Sequence, residues 1–283
     1  MATPAPCADA ARPTTGAARR TIAVAAKRRR FLAVNAAISL AGFVATGLWC
    51  NAMPAMAGLP MPGGWSLAMP WIRLCGETLS GACAGFVGMW LVMMVAMMLP
   101  SLSPLLWRYH QAGYRPGRAN RTLALTVAAG YFAVWLAIGA GIFALGTALA
   151  ELALRHRAIA AAVPLAGGLV VLAGALMQFS AAKARHLACW RAWSGPGRPP
   201  TIRPGAAFRD GLGIGLHCVG GSAGLTAILL VCGVMDLGAM AVVTAAITAE
   251  RLAPCGEEVA RAIGAGALGI GLVLIVQALV ALT

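Results

Sequence analysis

Trp90-Leu-Val-Met-Met-Val-Ala-Met-Met-Leu99, followed by Pro100, lies inside an apolar run near residues 83–106. Crossing a hydrocarbon core takes about 20 apolar helical residues, and this run reaches that length. Outward from it, further apolar runs fall near 31–50, 123–150, 158–182, 211–233, 237–250 and 262–282. The run at 237–250 is short, and 158–182 is interrupted by Pro164. The pattern predicts an all-α fold, a polytopic membrane helix bundle of about seven transmembrane helices.

Composition supports that class. The 283 residues are 60% hydrophobic and 11% charged, with a mean hydropathy of +0.81. Soluble domains carry about 25% charge. A net charge of +14 would suit a nucleic-acid partner, but its placement argues otherwise. With a cytoplasmic N-terminus, basic residues crowd into the tail 1–30 and the connections 107–122 and 183–210, and Arg251 and Arg261 bracket another inner connection. Only Arg73, Arg155 and Arg157 fall outside. That alternation is the positive-inside pattern of an inner-membrane protein. The expected partner is the lipid bilayer, with no nucleic acid.

Two regions follow. Residues 1–30, rich in Ala, Thr, Pro and Arg, read as a disordered basic cytoplasmic tail, and 31–283 as a transmembrane helical domain. The first run is long for a signal-peptide core, and Trp49-Cys50-Asn51 is a poor cleavage site, so it reads as a signal-anchor helix. The eight cysteines contain no CxxC pair, so neither a redox dithiol nor a zinc ribbon is indicated. Cys50, Cys75 and Cys83 fall on the oxidising side, where a disulfide is allowed but its pairing is not specified.

The candidate chemistry is that of soft ligands. On a helix, Met93/Met97 and Met94/Met98 are i,i+4 pairs and form two adjacent thioether stripes. Thioethers favour Cu(I), although methionine also serves as a plain gap-filler in helix cores. The loop 51–70 adds Met53, Met56, Met61 and Met69 with Trp65, and Trp71 follows it, which suits either a Cu(I)-collecting surface or a segment lying on headgroups. A kink or break is expected where Pro100 and Pro104 remove backbone donors. Gly211/Gly215 and Gly220/Gly224 form GxxxG pairs, whose default role is close helix packing.

His186 and Cys189 are spaced i,i+3 and would share a helix face, as a copper or zinc half-site or as incidental residues of an interfacial helix. His217 and Cys218 are adjacent within a span, where polar residues default to function. Their side chains diverge by about 100° unless the helix breaks, and Gly220 and Gly221 could supply that break. A hydrogen-bonded core histidine is the plainer account of His217. Asp236 is placed to cap the helix after it. Glu250 is either a ligand or the ion-pair partner of Arg251. In the assumed topology His186, Cys189, His217, Cys218, Glu250 and Cys255 all lie near the inner membrane face, and so does the proline-bearing end of the Met-rich helix.

The Met-rich run, Gln178-Phe-Ser-Ala-Ala-Lys183, and Gly233-Val-Met-Asp236 running on to Glu250-Arg-Leu-Ala-Pro254 resemble a group of bacterial integral membrane proteins. These form the DUF2182 family, predicted to bind metal, some of them labelled copper chaperones. The resemblance covers about 55–283 and implies metal binding in a membrane helix bundle. The chain departs from the family pattern at Val219-Gly-Gly-Ser222, where the family carries further cysteines, at Trp190 beside Cys189, and at Leu67, Ile72 and Leu74 in place of methionines. Fewer thiolates imply weaker binding or a paralogue that has drifted from the ancestral role. The expected metal ligands are Met93, Met94, Met97, Met98, His186, Cys189, His217, Cys218 and Glu250, with copper as the cargo and a copper-handling protein as partner. The expected function is metal transfer or transport, and the alternative is a non-metal scaffold or assembly subunit. No nucleophile–base set points to an enzyme.

Overall fold

Every apolar run of the sequence becomes a helix. The computed structural model describes residues 15–52, 59–61, 65–67, 78–112, 119–195, 200–233 and 236–280. In chain order these hold α1 (Thr15–Ala52), a hairpin of β1 (Leu59–Met61) and β2 (Trp65–Leu67), α2 (Leu79–Ala112), α3 (Ala119–Arg155), α4 (Arg157–Met177), α5 (Ala181–Ser194), α6 (Pro204–Cys232), α7 (Leu237–Leu252) and α8 (Gly256–Val280). The hairpin is antiparallel, with Pro60 opposite Ser66. Met53, Met56, Met69, Trp71 and Cys75 lie outside the described residues; Cys83 carries a free thiol.

The protein is a polytopic helical bundle. Six helices (α1, α2, α3, α4, α6 and α8) are long and apolar enough to cross a membrane. The short run 237–250 forms α7, whose 16 residues rise only about 24 Å. At its start Asp236 accepts a hydrogen bond from the Ala239 amide (2.9 Å), capping it as its position implies. The short α5 is capped by Ser180, whose hydroxyl accepts from the Lys183 amide at 3.2 Å.

Three local expectations are corrected. Residues 15–30 belong to α1, not to a disordered tail; Ala, Arg and Lys are strong helix formers and extend the apolar helix backwards. Of the kink or break expected at Pro100 and Pro104, the break does not form, and α2 is one helix through both. Membrane helices tolerate proline where neighbouring helices enclose it, and here α1, α3 and α7 pack against α2. Ser101 and Ser103 donate to the Met98 and Leu99 carbonyls at 3.0 and 2.7 Å in the same turns. α6 is likewise continuous across Gly220 and Gly221.

α6 sits centrally, touching α3, α4, α5 and α7. Its glycines permit this. A Cβ on Gly211 would stand 2.2 Å from the Val127 carbonyl of α3, and one on Gly224 2.4 Å from the Gly174 carbonyl of α4. The apolar core gathers on α2, where Trp90, Met93, Met94, Met97, Met98 and Leu102 are fully enclosed. Trp90 donates from its indole N–H to the Trp135 carbonyl at 3.0 Å, tying α2 to α3. The outward faces of α1, α3 and α8 expose Leu, Ile and Val, as lipid-facing helices do.

Candidate metal centre

The second half of α2, the middle of α6, the end of α7 and all of α5 come together, and most of the buried polar chemistry lies there. Adjacent residues on α6 point to different neighbours because successive helical positions are about 100° apart. Cys218 faces inward to α2, α3 and α7; His217 faces α5.

Cys218 is 1% exposed. Its Sγ donates towards the Met98 Sδ at 3.9 Å, within hydrogen-bonding reach for two sulfurs. The Tyr131 hydroxyl lies 2.8 Å from the same Sγ, and Arg251 donates to it from Nη2 at 2.9 Å. The other arm of Arg251 donates to Ser101 Oγ at 2.9 Å, and its guanidinium stacks on Trp190 with 4.3 Å to the ring centroid. A buried guanidinium is costly to desolvate, and here a serine, a sulfur and an aromatic face offset part of that cost.

The Glu250–Arg251 pair, the alternative to Glu250 as a ligand, gives way to a pair with Lys183. Glu250, 2% exposed, accepts a 2.6 Å charge-assisted bond from Lys183, itself 5% exposed. Lys183 Nζ also reaches the Gly221 carbonyl of α6 at 2.5 Å. Glu250 is therefore engaged as a counter-ion. Lys183, His186 and Trp190 are spaced i, i+3 and i+7, so α5 lays one face across α6 and α7.

On that face the His186 and His217 Nδ1 atoms stand 3.4 Å apart, their ring centroids 5.6 Å apart at 60°. The His186 ring rests on bare backbone: a Cβ on Gly220 would lie 2.5 Å from its Cε1 and Nε2. Gly220 therefore makes room for an imidazole and does not break the helix. Burial, then His217, Arg185 and Lys183, hold His186 below the ordinary imidazole value, favouring the neutral ring that can ligate.

Of the sequence-predicted residues, the structure brings together Met98 with Cys218, and His186 with His217. Met93, Met94 and Met97 pack in the same buried cluster as Met98. Cys189 is a half-buried free thiol on α5, and Cys255 an exposed one. Among the described residues no three of His, Cys, Asp and Glu gather around one point, so the donors come in pairs. Tyr131, Lys183, Ser101, Trp190 and Arg251 were not singled out from sequence as parts of the site. A lysine, an arginine and a tyrosine within or against apolar helices were the available signal.

Comparison with curated proteins and with solved structures gives no match. The matching family model covers residues 87–274, a stretch containing every residue of both donor pairs. The chain belongs to that family, PpoB2, described as a copper chaperone.

Proposed function

We propose that this protein is a multi-pass copper chaperone of the bacterial inner membrane, its N-terminus cytoplasmic, that holds Cu(I) between Cys218 and Met98 and hands it to a copper-handling protein. The supporting observation is the enclosed Sγ···Sδ pair at 3.9 Å. Thiolate and thioether together select a soft monovalent ion. Two bonds of about 2.3 Å, the length thiolates make to the d10 ion zinc, span that gap with a bent unit. The resemblance to the DUF2182 group points the same way.

The chemistry of loading is a substitution. The Cys218 S–H bond breaks, a Cu–S bond forms, the proton leaves for solvent, and copper remains Cu(I) throughout. One positive charge replaces another, so the buried site gains no net charge and adds little desolvation cost. Arg251 keeps a hydrogen bond on the same sulfur and draws electron density from it. That tempers the Cu–S bond, as suits a carrier that must release its cargo. Nothing here requires catalysis; the protein transfers an ion.

The test is anaerobic Cu(I) titration of the full chain in detergent, with X-ray absorption on the loaded protein. Wild type takes up copper with sulfur in its coordination shell and releases about one proton per sulfur-bound ion. Cys218→Ala/Met98→Leu loses that sulfur signal and that proton. An unchanged sulfur shell in the double variant would overturn the assignment to Cys218 and Met98, and no copper bound by the wild type would leave a non-metal scaffold as the alternative.

A further inference from the structure

We propose that His186 and His217 form a second, separate copper site that binds Cu(I) through nitrogen at the edge of the bundle. The inference rests on the copper-chaperone reading above but places these two residues outside the sulfur site. Three observations carry it.

The first is direction. His217 and Cys218 are neighbours on an unbroken helix, so their side chains diverge. The Cys218 sulfur is surrounded by Met98, Tyr131 and Arg251, while the His217 ring meets only His186 among the ring contacts described. One ion cannot be at the centre of both sets.

The second is distance. Imidazole nitrogens bind zinc or copper with bonds of about 2.0–2.1 Å, and two such bonds opened to roughly a tetrahedral angle end about 3.4 Å apart. The two Nδ1 atoms have that separation. It is long for a hydrogen bond between nitrogens and well suited to a bridging ion.

The third is accommodation. Gly220 leaves the space that His186 occupies, with clearances of 2.5 Å to a would-be Cβ, and Gly221 leaves 3.4 Å to the His186 Cβ. The ring is held in place by the fold of α6. Lys183, one turn earlier on α5, anchors the same helix face to Glu250 and the Gly221 carbonyl.

The ion's class follows from the surroundings. Among the described residues two protein donors converge here and no group of three gathers, too few for a closed four-ligand zinc centre. Imidazoles provide no negative charge, and Arg185 and Lys183 act on His186 as positive neighbours. A monovalent ion is repelled least there, with solvent or a carrier ligand completing its coordination. Cu(I) enters and leaves as Cu(I), each Cu–N bond replacing a bond to a solvent or carrier ligand.

The experiment uses the full chain in detergent with Cu(I) as probe, counting bound copper and recording X-ray absorption. Wild type binds two ions, one with sulfur and one with nitrogen neighbours. His186→Ala/His217→Ala retains one ion, sulfur-bound; Cys218→Ala/Met98→Leu retains one, nitrogen-bound. Gly220→Ala, which displaces the ring but keeps both imidazoles, also retains the sulfur-bound ion alone, whereas a misfolded variant would lose both. If the histidine variant keeps wild-type copper and an unchanged spectrum, the second site falls while the chaperone reading stands. If each double variant loses all copper, the two pairs are one site and the separation is wrong. If the cysteine–methionine variant keeps all copper and the histidine variant keeps none, the sulfur reading fails alone.

Discussion

Gly220 and Gly224 lie one turn apart on α6 and do different work. Gly224 lets α6 meet α4 backbone to backbone, its would-be Cβ 2.4 Å from the Gly174 carbonyl. Gly220 lets an imidazole from α5 lie against the same helix. Gly224 faces the backbone of Gly174; around Gly220 lie a lysine, a glutamate, two histidines and, across the helix, a thiol with an arginine. One helix thus has a stretch built for packing and a stretch built for chemistry. The GxxxG spacing does not separate them, because it states that a side chain is missing without saying what fills the space.

The sharpest way to break the polar stretch is to strand one charge of its buried pair. Glu250→Ala leaves the Lys183 ammonium enclosed at 5% exposure with only the Gly221 carbonyl shown as its acceptor. Removing one partner of a buried ion pair costs about 3–5 kcal/mol. Thermal or denaturant unfolding in detergent should show that loss. Lys183→Met/Glu250→Leu, which removes both charges, should recover most of it. A double variant no more stable than Glu250→Ala would mean that the pair is not the element at stake.

Alanine at the two glycines sharpens the comparison next. At Gly224 the added methyl meets backbone, which cannot turn aside, so α4 and α6 must separate at a cost of about 1–3 kcal/mol. At Gly220 it meets a ring on a two-torsion side chain, which can swing away. Gly220→Ala should therefore cost less stability than Gly224→Ala while removing more copper. The reverse order, measured by unfolding and by bound copper on the same preparations, would show that the two glycines are interchangeable packing positions.

Tyr131→Phe comes third. It deletes one polar contact to the Cys218 sulfur and leaves Met98 and Arg251 in place. A net loss of about 1 kcal/mol is expected, with the sulfur-bound copper retained. Loss of that copper would make the hydroxyl a necessary part of the sulfur site.

Helix positions were legible in the sequence because bilayer length and apolar content are local properties: the runs around 83–106 and 262–282 predict α2 and α8 directly. The convergence of sulfur and imidazole residues was legible only through topology, which placed them at one end without naming pairs. Lys183 and Glu250 are 67 positions apart, and Cys218 and Met98 120, so neither pairing leaves a periodic trace. The break allowed at the prolines is absent for a related reason. Pro100 and Pro104 weaken a helix locally, but α2 is enclosed by neighbours and carries Ser101 and Ser103 in the same turns. The surroundings outweigh the local penalty.

The smallest effect tests how tightly α5 is seated. Gly221 adjoins Gly220 and its carbonyl accepts from Lys183, yet a Cβ there would meet only the His186 Cβ, at 3.4 Å. That is close to ordinary van der Waals contact. Replacing glycine by alanine in a helix interior gains about 0.5–1 kcal/mol by restricting the unfolded chain. Gly221→Ala should therefore be neutral or more stable by up to that amount, with both copper sites filled. A destabilisation of the size expected for Gly224→Ala would mean that α5 presses on α6 along its whole face. In that case the space at Gly220 would reflect general tightness of packing and not a seat shaped for one imidazole.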